Sequence, residues 1–207
     1  MQPKTERSAR TFTEVARRAQ IVQCAAEVIA ETGYARATMA EIARQAGVAK
    51  SVISYHFADK NELMQELIRT AVATFTEFIE PRLAAQTSAR GKIGAYLTGS
   101  ADYVTAHQDL HRAVLEIAFN ALGPDGLPLA ASMPLETHKP ALEQILSDGQ
   151  DAGEMRDFDV QVMAGLMRSS VTHTMTLALR ANPGLDPQHW ARELVTTFDL
   201  ATLASAD

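Results

Sequence analysis

Apolar and polar positions recur at helical spacing along most of this chain, and no stretch alternates with period two for long enough to make a strand. The sharpest segment is TMAEIARQAGVAKSVISYHF, residues 38–57. Met39, Ile42, Ala43 and Ala46 fall at i, i+3, i+4 and i+7, one apolar face of a short helix. Thr38 is placed to accept from the Glu41 backbone N–H while the Glu41 side chain reaches back to the Thr38 N–H, a capping box. Gly47 stops this helix, because glycine enters the left-handed region without a Cβ clash, and Val48 plugs the turn. A second helix, about 50–57, keeps Ile53 and Phe57 inward and leaves Lys50, Ser51, Ser54 and Tyr55 outward. Two short helices on a tight glycine turn let one of them enter the DNA major groove. The outward four include no acid to repel phosphate, and His56 and Lys60 extend the row of donors.

The same reading organises the rest. Residues 1–12 are polar, with Pro3, Lys4, Arg7 and Arg10, and lack periodicity, so a flexible basic arm able to touch DNA is expected there. A helix over 13–32 turns Ile21, Ala25, Val28 and Ile29 inward and ends at Gly33. Asp59 and Glu62 are spaced as a cap pair. They open a long helix whose Leu63, Leu67, Ala71, Phe75 and Phe78 carry it to Pro81, from the second short helix into the C-terminal part, so that it can act as a lever. Further helices are expected near 90–106, 109–122, 130–152, 159–181 and 187–204. Asp109 reads as a cap, Gly123-Pro124-Asp125-Gly126 as a loop, Asn182-Pro183-Gly184 as a stop and Asp186-Pro187 as cap plus first-turn proline, while Pro134 and Pro140 kink or delay the helix near 130–152.

Residues 17–68 resemble the DNA-binding region of tetracycline-repressor (TetR/AcrR) regulators in order and spacing. The match runs from Ile21 and Ala25 through Glu31-Thr32-Gly33-Tyr34, Thr38, Ile42-Ala43, Ala46-Gly47-Val48, Ser51, Tyr55-His56-Phe57, Lys60 and Glu62-Leu63. The resemblance implies phosphate contacts from Thr38, Tyr55, His56 and Lys60, with Lys50, Ser51 and Ser54 nearest the base edges. The family usually has Ser or Thr where Ala49 stands, so a cap worth about 1 kcal/mol is missing here. It commonly has an aromatic where Ser54 stands. The implied fold is all-α, with a helix-turn-helix domain at 13–58 after the arm and a helical ligand-binding and dimerisation domain at 59–207.

Charge sharpens this division. Residues 1–60 hold nine Lys/Arg and six Asp/Glu, while the remainder holds ten and nineteen of a chain whose net charge is −6. A focused basic end on an otherwise repelling body suits a protein that binds DNA at one face only. The single cysteine, Cys24, reads as a small buried hydrophobe and permits no internal disulfide. No leading apolar segment and no run of 18 apolar residues is present, so a cytoplasmic protein without a membrane partner is expected. No phosphate loop, dinucleotide glycine motif or serine-hydrolase elbow appears, so no catalytic residue and no cofactor is assigned. His107 and His111 stand four apart, but Asp109 as a cap would put them on different elements, so they read as surface or turn histidines and no metal is expected.

Phe75, Phe78, Tyr96, Tyr103, Phe119, Leu122, Met133, Met163 and Met167 fall on helices that line a ligand pocket in the family, where His138 and Arg168 can orient a polar group if they face inward. Core packing is the alternative use of each. The last two helices carry a long apolar stripe that includes Met167, Val171, Met175, Leu194 and Phe198. Paired with a second copy, these helices would make the family's four-helix dimer bundle and set two recognition helices about one DNA turn apart. The expected protein is a ligand-responsive homodimeric repressor of a palindromic double-stranded operator, released by an unidentified small molecule. A helical carrier or enzyme whose helix-turn-helix-like segment only packs is the rival.

Overall fold

The computed structural model describes residues 4–123, 126–129, 139–182 and 184–204. They are helical, with isolated bridges at Leu122–Pro128 and Met155–Leu203 and no strand among them. The elements are α1 Lys4–Thr32, α2 Met39–Gln45, α3 Lys50–His56, α4 Lys60–Ala84, α5 Ala89–Ala106, α6 Gln108–Asn120, α7 Lys139–Asp151, α8 Val160–Ser169, a π-helical turn Ser170–Thr174, α9 Met175–Ala181 and α10 Pro187–Thr202. Two corrections concern the N-terminal half. α1 begins at Lys4, not after residue 12, because no proline or glycine follows Pro3 in that stretch to break a helix. α4 continues past Pro81 to Ala84.

The chain forms two compact units: the described residues of Met1–Ala71 with Asp109–Met133, and those of Val72–Gln108 with Pro134–Asp207. The division thus falls within α4 rather than at residue 59, and α6 belongs to the first unit.

In the first unit Ile21, Ala25 and Ile29 of α1, Ile42 of α2, Ile53 of α3 and Phe57 just after it, and Leu63 and Leu67 of α4 are wholly buried. Cys24 is buried beside them, and burial, with Glu27 nearby, pushes its thiol above the ordinary range, so it stays protonated and inert. The α2 stop is a Schellman motif. Gly47 takes φ +65, its N–H donates to the Arg44 carbonyl at 3.2 Å, and the Val48 N–H donates to the Ala43 carbonyl at 3.0 Å. At the start of α2 only half of the expected capping box forms. Thr38 Oγ accepts from the Glu41 N–H at 3.2 Å, but the Glu41 carboxylate takes Arg44, with Nε at 3.1 Å, because a charge-assisted two-pronged pair outcompetes one backbone N–H. At α4, Asp59 accepts from the Glu62 N–H at 2.8 Å, and Glu62 reaches back to the Ala58 N–H at 2.7 Å.

In the second unit α4, α5, α7, α8 and Phe198 of α10 share one core that includes Ile79, Ile93, Leu97, Leu142, Leu146 and Met167. α4 and α5 approach so closely at Gly99 that a Cβ there would lie 2.7 Å from Ile79 Cδ1. Arg90 of α5 grips Asp199 of α10, with Nε to Oδ1 at 2.9 Å.

The π turn has a physical role. Met163, Met167, Val171 and Met175 all face inward at intervals of four. At about 100° per residue a spacing of four drifts by roughly 40° at each step. A wider i→i+5 turn over 170–174 cancels part of that drift and keeps Met175 buried, in a second cluster with Ala101, Val104 and Ala191. Asp159 caps α8 through the Val162 N–H at 3.0 Å, and Asp186 caps α10 through the Gln188 N–H at 2.9 Å with Pro187 in the first turn. Asp109, expected to be a cap, lies instead inside the first turn of α6, one residue after its start at Gln108.

Gly47→Ala places a Cβ in open space but in a left-handed backbone, so the substitution costs the conformational penalty alone, about 1–2 kcal/mol. Urea denaturation checks this; an unchanged midpoint would mean that the turn relaxes to another conformation.

Candidate nucleic-acid interface

The face derived from the sequence assembles on α3. Ile53 and Phe57 anchor the helix from beneath, which fixes the rotation that turns Lys50, Ser51, Ser54 and Tyr55 to solvent. Tyr55 is 74% exposed. Lys50, Ser51 and Ser54 are exposed, and Thr38, the α2 cap, is exposed as well. Ala49 begins α3 in extended backbone with no side-chain cap, as its methyl requires.

Three residues differ from the simple outward row. His56 is half-buried, packed edge-on against Tyr55 with ring centroids 5.1 Å apart. The Lys60 ammonium turns inward, donates to the Tyr34 carbonyl at 2.6 Å and lies 3.8 Å from the centre of the Tyr34 ring. Burial lowers its pKa from the ordinary lysine value. Two of its three donors remain for a phosphate, but the ammonium is fixed in place rather than swinging free. The fold also brings an acid to the row: Glu14 of α1 accepts from the Tyr55 hydroxyl at 3.4 Å. Sequence spacing had no means to show this contact, which spans 41 positions.

The residue that sequence reading passed over is Arg18. Its guanidinium donates from Nη1 to the His56 carbonyl at the C-terminal end of α3, lies 4.2 Å from the centre of the Phe57 ring, and pairs with Glu66 of α4 at 3.4 Å and Glu62 at 3.9 Å. A cation at a helix C-terminus satisfies an orphan carbonyl and opposes the helix dipole. One side chain therefore joins α1, α3 and α4. Glu116 of α6 adds a second tie, accepting from the Tyr34 N–H at 3.3 Å.

The other expected site residues divide. Phe75, Phe78, Tyr96 and Tyr103 do converge in the second unit, with Phe75–Tyr103 at 5.1 Å, Phe78–Tyr103 at 5.6 Å and Phe75–Tyr96 at 6.2 Å, all edge-on. Burial pushes the Tyr96 and Tyr103 phenols up to about 12. Met163 and Met167 belong to the core beside them. Phe119 and Leu122 do not join: they lie in the first unit and are exposed. Met133 and His138 fall outside the described residues.

The dimer residues need correction. Met167, at 0% exposure, and Val171, Met175 and Phe198 are buried within the chain, and Leu194 packs against the same core. The exposed apolar positions on those helices are Val162, Leu166 at 54%, Leu177 and Leu200. The stripe held two faces, and the more continuous one closes the chain's own core. His107 ends α5 while His111 is buried in α6, and among the described residues no three His, Cys, Asp or Glu gather as a metal site.

Arg18→Ala should lower stability by about 2 kcal/mol, since a carbonyl and two carboxylates lose a charged donor, whereas Lys50→Ala should leave the melting temperature unchanged. Thermal denaturation of the two variants checks the contrast; equal melting temperatures would remove Arg18 from the framework of this face.

Residues 21–67 match the family model described as bacterial regulatory proteins, tetR family. Over 159 residues, 76% of this chain and 80% of the other, the sequence is 26% identical to the fatty acid metabolism regulator protein of Bacillus subtilis. It is 38% identical over 88 residues to the HTH-type transcriptional regulator BetI of Escherichia coli, a match spanning 45% of that protein. The fold superposes on the crystal structure of transcriptional regulator FadR from Bacillus subtilis in complex with stearoyl-CoA with a TM-score of 0.74, covering 86% of this chain and 95% of that one at 23% identity. Among the described residues no helix is long and apolar enough to cross a membrane. With the glycine-turn pair, its buried seam and its outward row in place, residues 21–67 are similar to the DNA-binding region of the tetR family of bacterial regulatory proteins.

Proposed function

We propose that this protein is a cytoplasmic transcriptional repressor, not an enzyme, which binds a palindromic double-stranded operator as a homodimer and is released by a coenzyme A thioester of a fatty acid. The observation that carries the DNA half is the outward row Lys50, Ser51, Ser54 and Tyr55 held on the buried Ile53–Phe57 seam. Phosphate contacts come from Thr38, Tyr55, His56 and the remaining donors of Lys60. Lys50, Ser51 and Ser54 meet base edges, where lysine to a guanine and serine to either partner are the geometrically natural pairs.

The effector half draws support from the Bacillus subtilis relatives, one a fatty acid metabolism regulator and one bound to stearoyl-CoA. The aromatic group around Phe75 and Tyr103 offers an alkyl chain an apolar setting. Coupling needs only that the thioester prefer a conformation in which the two recognition helices no longer match the operator spacing. α4 carries residues of both compact units and is the element on which such a preference acts. The dimer contact is assigned to the exposed Val162, Leu166, Leu177 and Leu200 of α8, α9 and α10, because the other apolar positions of the stripe are used inside the chain.

Two experiments test this. Selection of bound DNA from a random pool should return a palindrome, and palmitoyl-CoA should weaken binding to it by about 1–3 kcal/mol; pools without a shared sequence would favour the carrier or enzyme reading. Leu166→Glu should give a folded monomer with little operator affinity, while Met167→Glu should unfold the chain. Light scattering with circular dichroism reads both, and a dimer that survives Leu166→Glu would place the interface elsewhere.

A further inference from the structure

In the second unit, polar atoms without hydrogen-bond partners lie on α5, α7 and α8, on a side chain that is buried at Ser100 and on side chains that are 24% and 23% exposed at Arg168 and Glu143. Tyr96 and Ser100 stand one turn apart on α5 at 4% and 1% exposure. The Ser100 hydroxyl lies beside the Tyr96 phenol yet completes no hydrogen bond of ordinary geometry. Arg168 of α8 is within electrostatic reach of the same phenol. Its Nη2 stands 3.7 Å from Oε1 of Glu143 on α7, an ion pair too long to be a hydrogen bond. Arg168 Nη1 and Glu143 Oε1 are both shut off from water and both without a hydrogen-bond partner. Buried polar atoms are nearly always partnered, so three orphans on facing helices call for a reason.

We propose that Arg168, Glu143, Tyr96 and Ser100 form the polar end of the effector site and read a secondary amide of the effector, such as the pantetheine amide next to an acyl thioester. The proposal rests on the effector reading above and adds which atoms recognise the ligand. Arg168 and Tyr96 are donors; the phenol is neutral at any physiological pH. Ser100 donates or accepts, and Glu143 only accepts. The two formal charges cancel, so the group does not select an anion. An amide answers both signs, because its carbonyl accepts from Arg168 and Tyr96 and its N–H donates to Glu143. A free carboxylate answers only one: it can take Arg168, but it brings a second negative charge to Glu143 and no proton to give it. The Phe75 ring, edge-on to Tyr96 at 6.2 Å, begins the apolar setting for the acyl chain. The cluster therefore discriminates thioester from free fatty acid, the distinction that a regulator reading activated acyl groups requires.

The test uses the full chain with butyryl-, octanoyl- and palmitoyl-CoA, the matching free acids, and S-octanoyl-N-acetylcysteamine as the smallest thioester carrying one amide. Calorimetry measures affinity and circular dichroism checks folding. The unmodified protein should prefer thioester to acid. Arg168→Lys, which keeps the charge but loses the planar fork, and Ser100→Ala should each weaken thioester binding, the former about tenfold. Glu143→Gln should instead raise affinity for the free acid and narrow the preference about tenfold, a change of selectivity that a merely structural residue would not produce. If a thioester binds the unmodified protein and the preference is the same in Glu143→Gln and Arg168→Lys, the amide assignment is overturned while the effector reading stands. If no thioester of any length binds, the effector reading itself falls, and this inference with it.

Discussion

The burial of Ile53 and Phe57 is the constraint on which the outward face of α3 depends. α3 has seven residues, too few to be stable alone, and Ala49 gives it no cap. Its existence and its rotation therefore come from the two side chains beneath it, both fully buried. Because those residues are four apart, the opposite face is fixed once they are seated, and Lys50, Ser51, Ser54 and Tyr55 have nowhere to point but outward. Arg18 completes the arrangement by covering the Phe57 ring and holding the last carbonyl of α3.

Polar ties do the positioning that apolar burial cannot. Hydrophobic contact is non-directional, so Ile53 and Phe57 set which side of α3 is inward without setting where its end lies. The Arg18 fork and the Lys60–Tyr34–Glu116 chain are directional, and they join α1, α3, α4 and α6 around the same small region. Their use has a cost in the reading of the site. A lysine that looks free in sequence is half committed to holding the loop after α1, so the Lys60 ammonium is fixed rather than mobile.

In the second unit the same logic separates core from interface. A stripe at intervals of four would wind around an ideal helix, and the π turn at 170–174 keeps Met175 buried beyond Met167 and Val171, in a second cluster with Ala101, Val104 and Ala191. The residues left over, Leu166 and Leu177 among them, face water. Atoms shut off from water and without hydrogen-bond partners remain at Arg168, Glu143 and Ser100 of the same unit, and a buried polar atom is costly enough to make its lack of a partner informative.

What the sequence determined by itself is whatever depends on neighbours a few positions away. The glycine stop at Gly47, the Asp59–Glu62 cap, the missing cap at Ala49, the inward pair Ile53 and Phe57 and the proline-led start of α10 are all local in cause, and the helix-turn-helix face follows from them. Tertiary structure decided what depends on distant groups competing for one partner. Lys60 turned to Tyr34, Glu14 arrived beside Tyr55, and Met167, Val171 and Met175 were buried within their own chain rather than waiting for a second one. Periodicity records that a residue will be buried but not against what, because a helical face is equally apolar whether its cover comes from the same chain or from another.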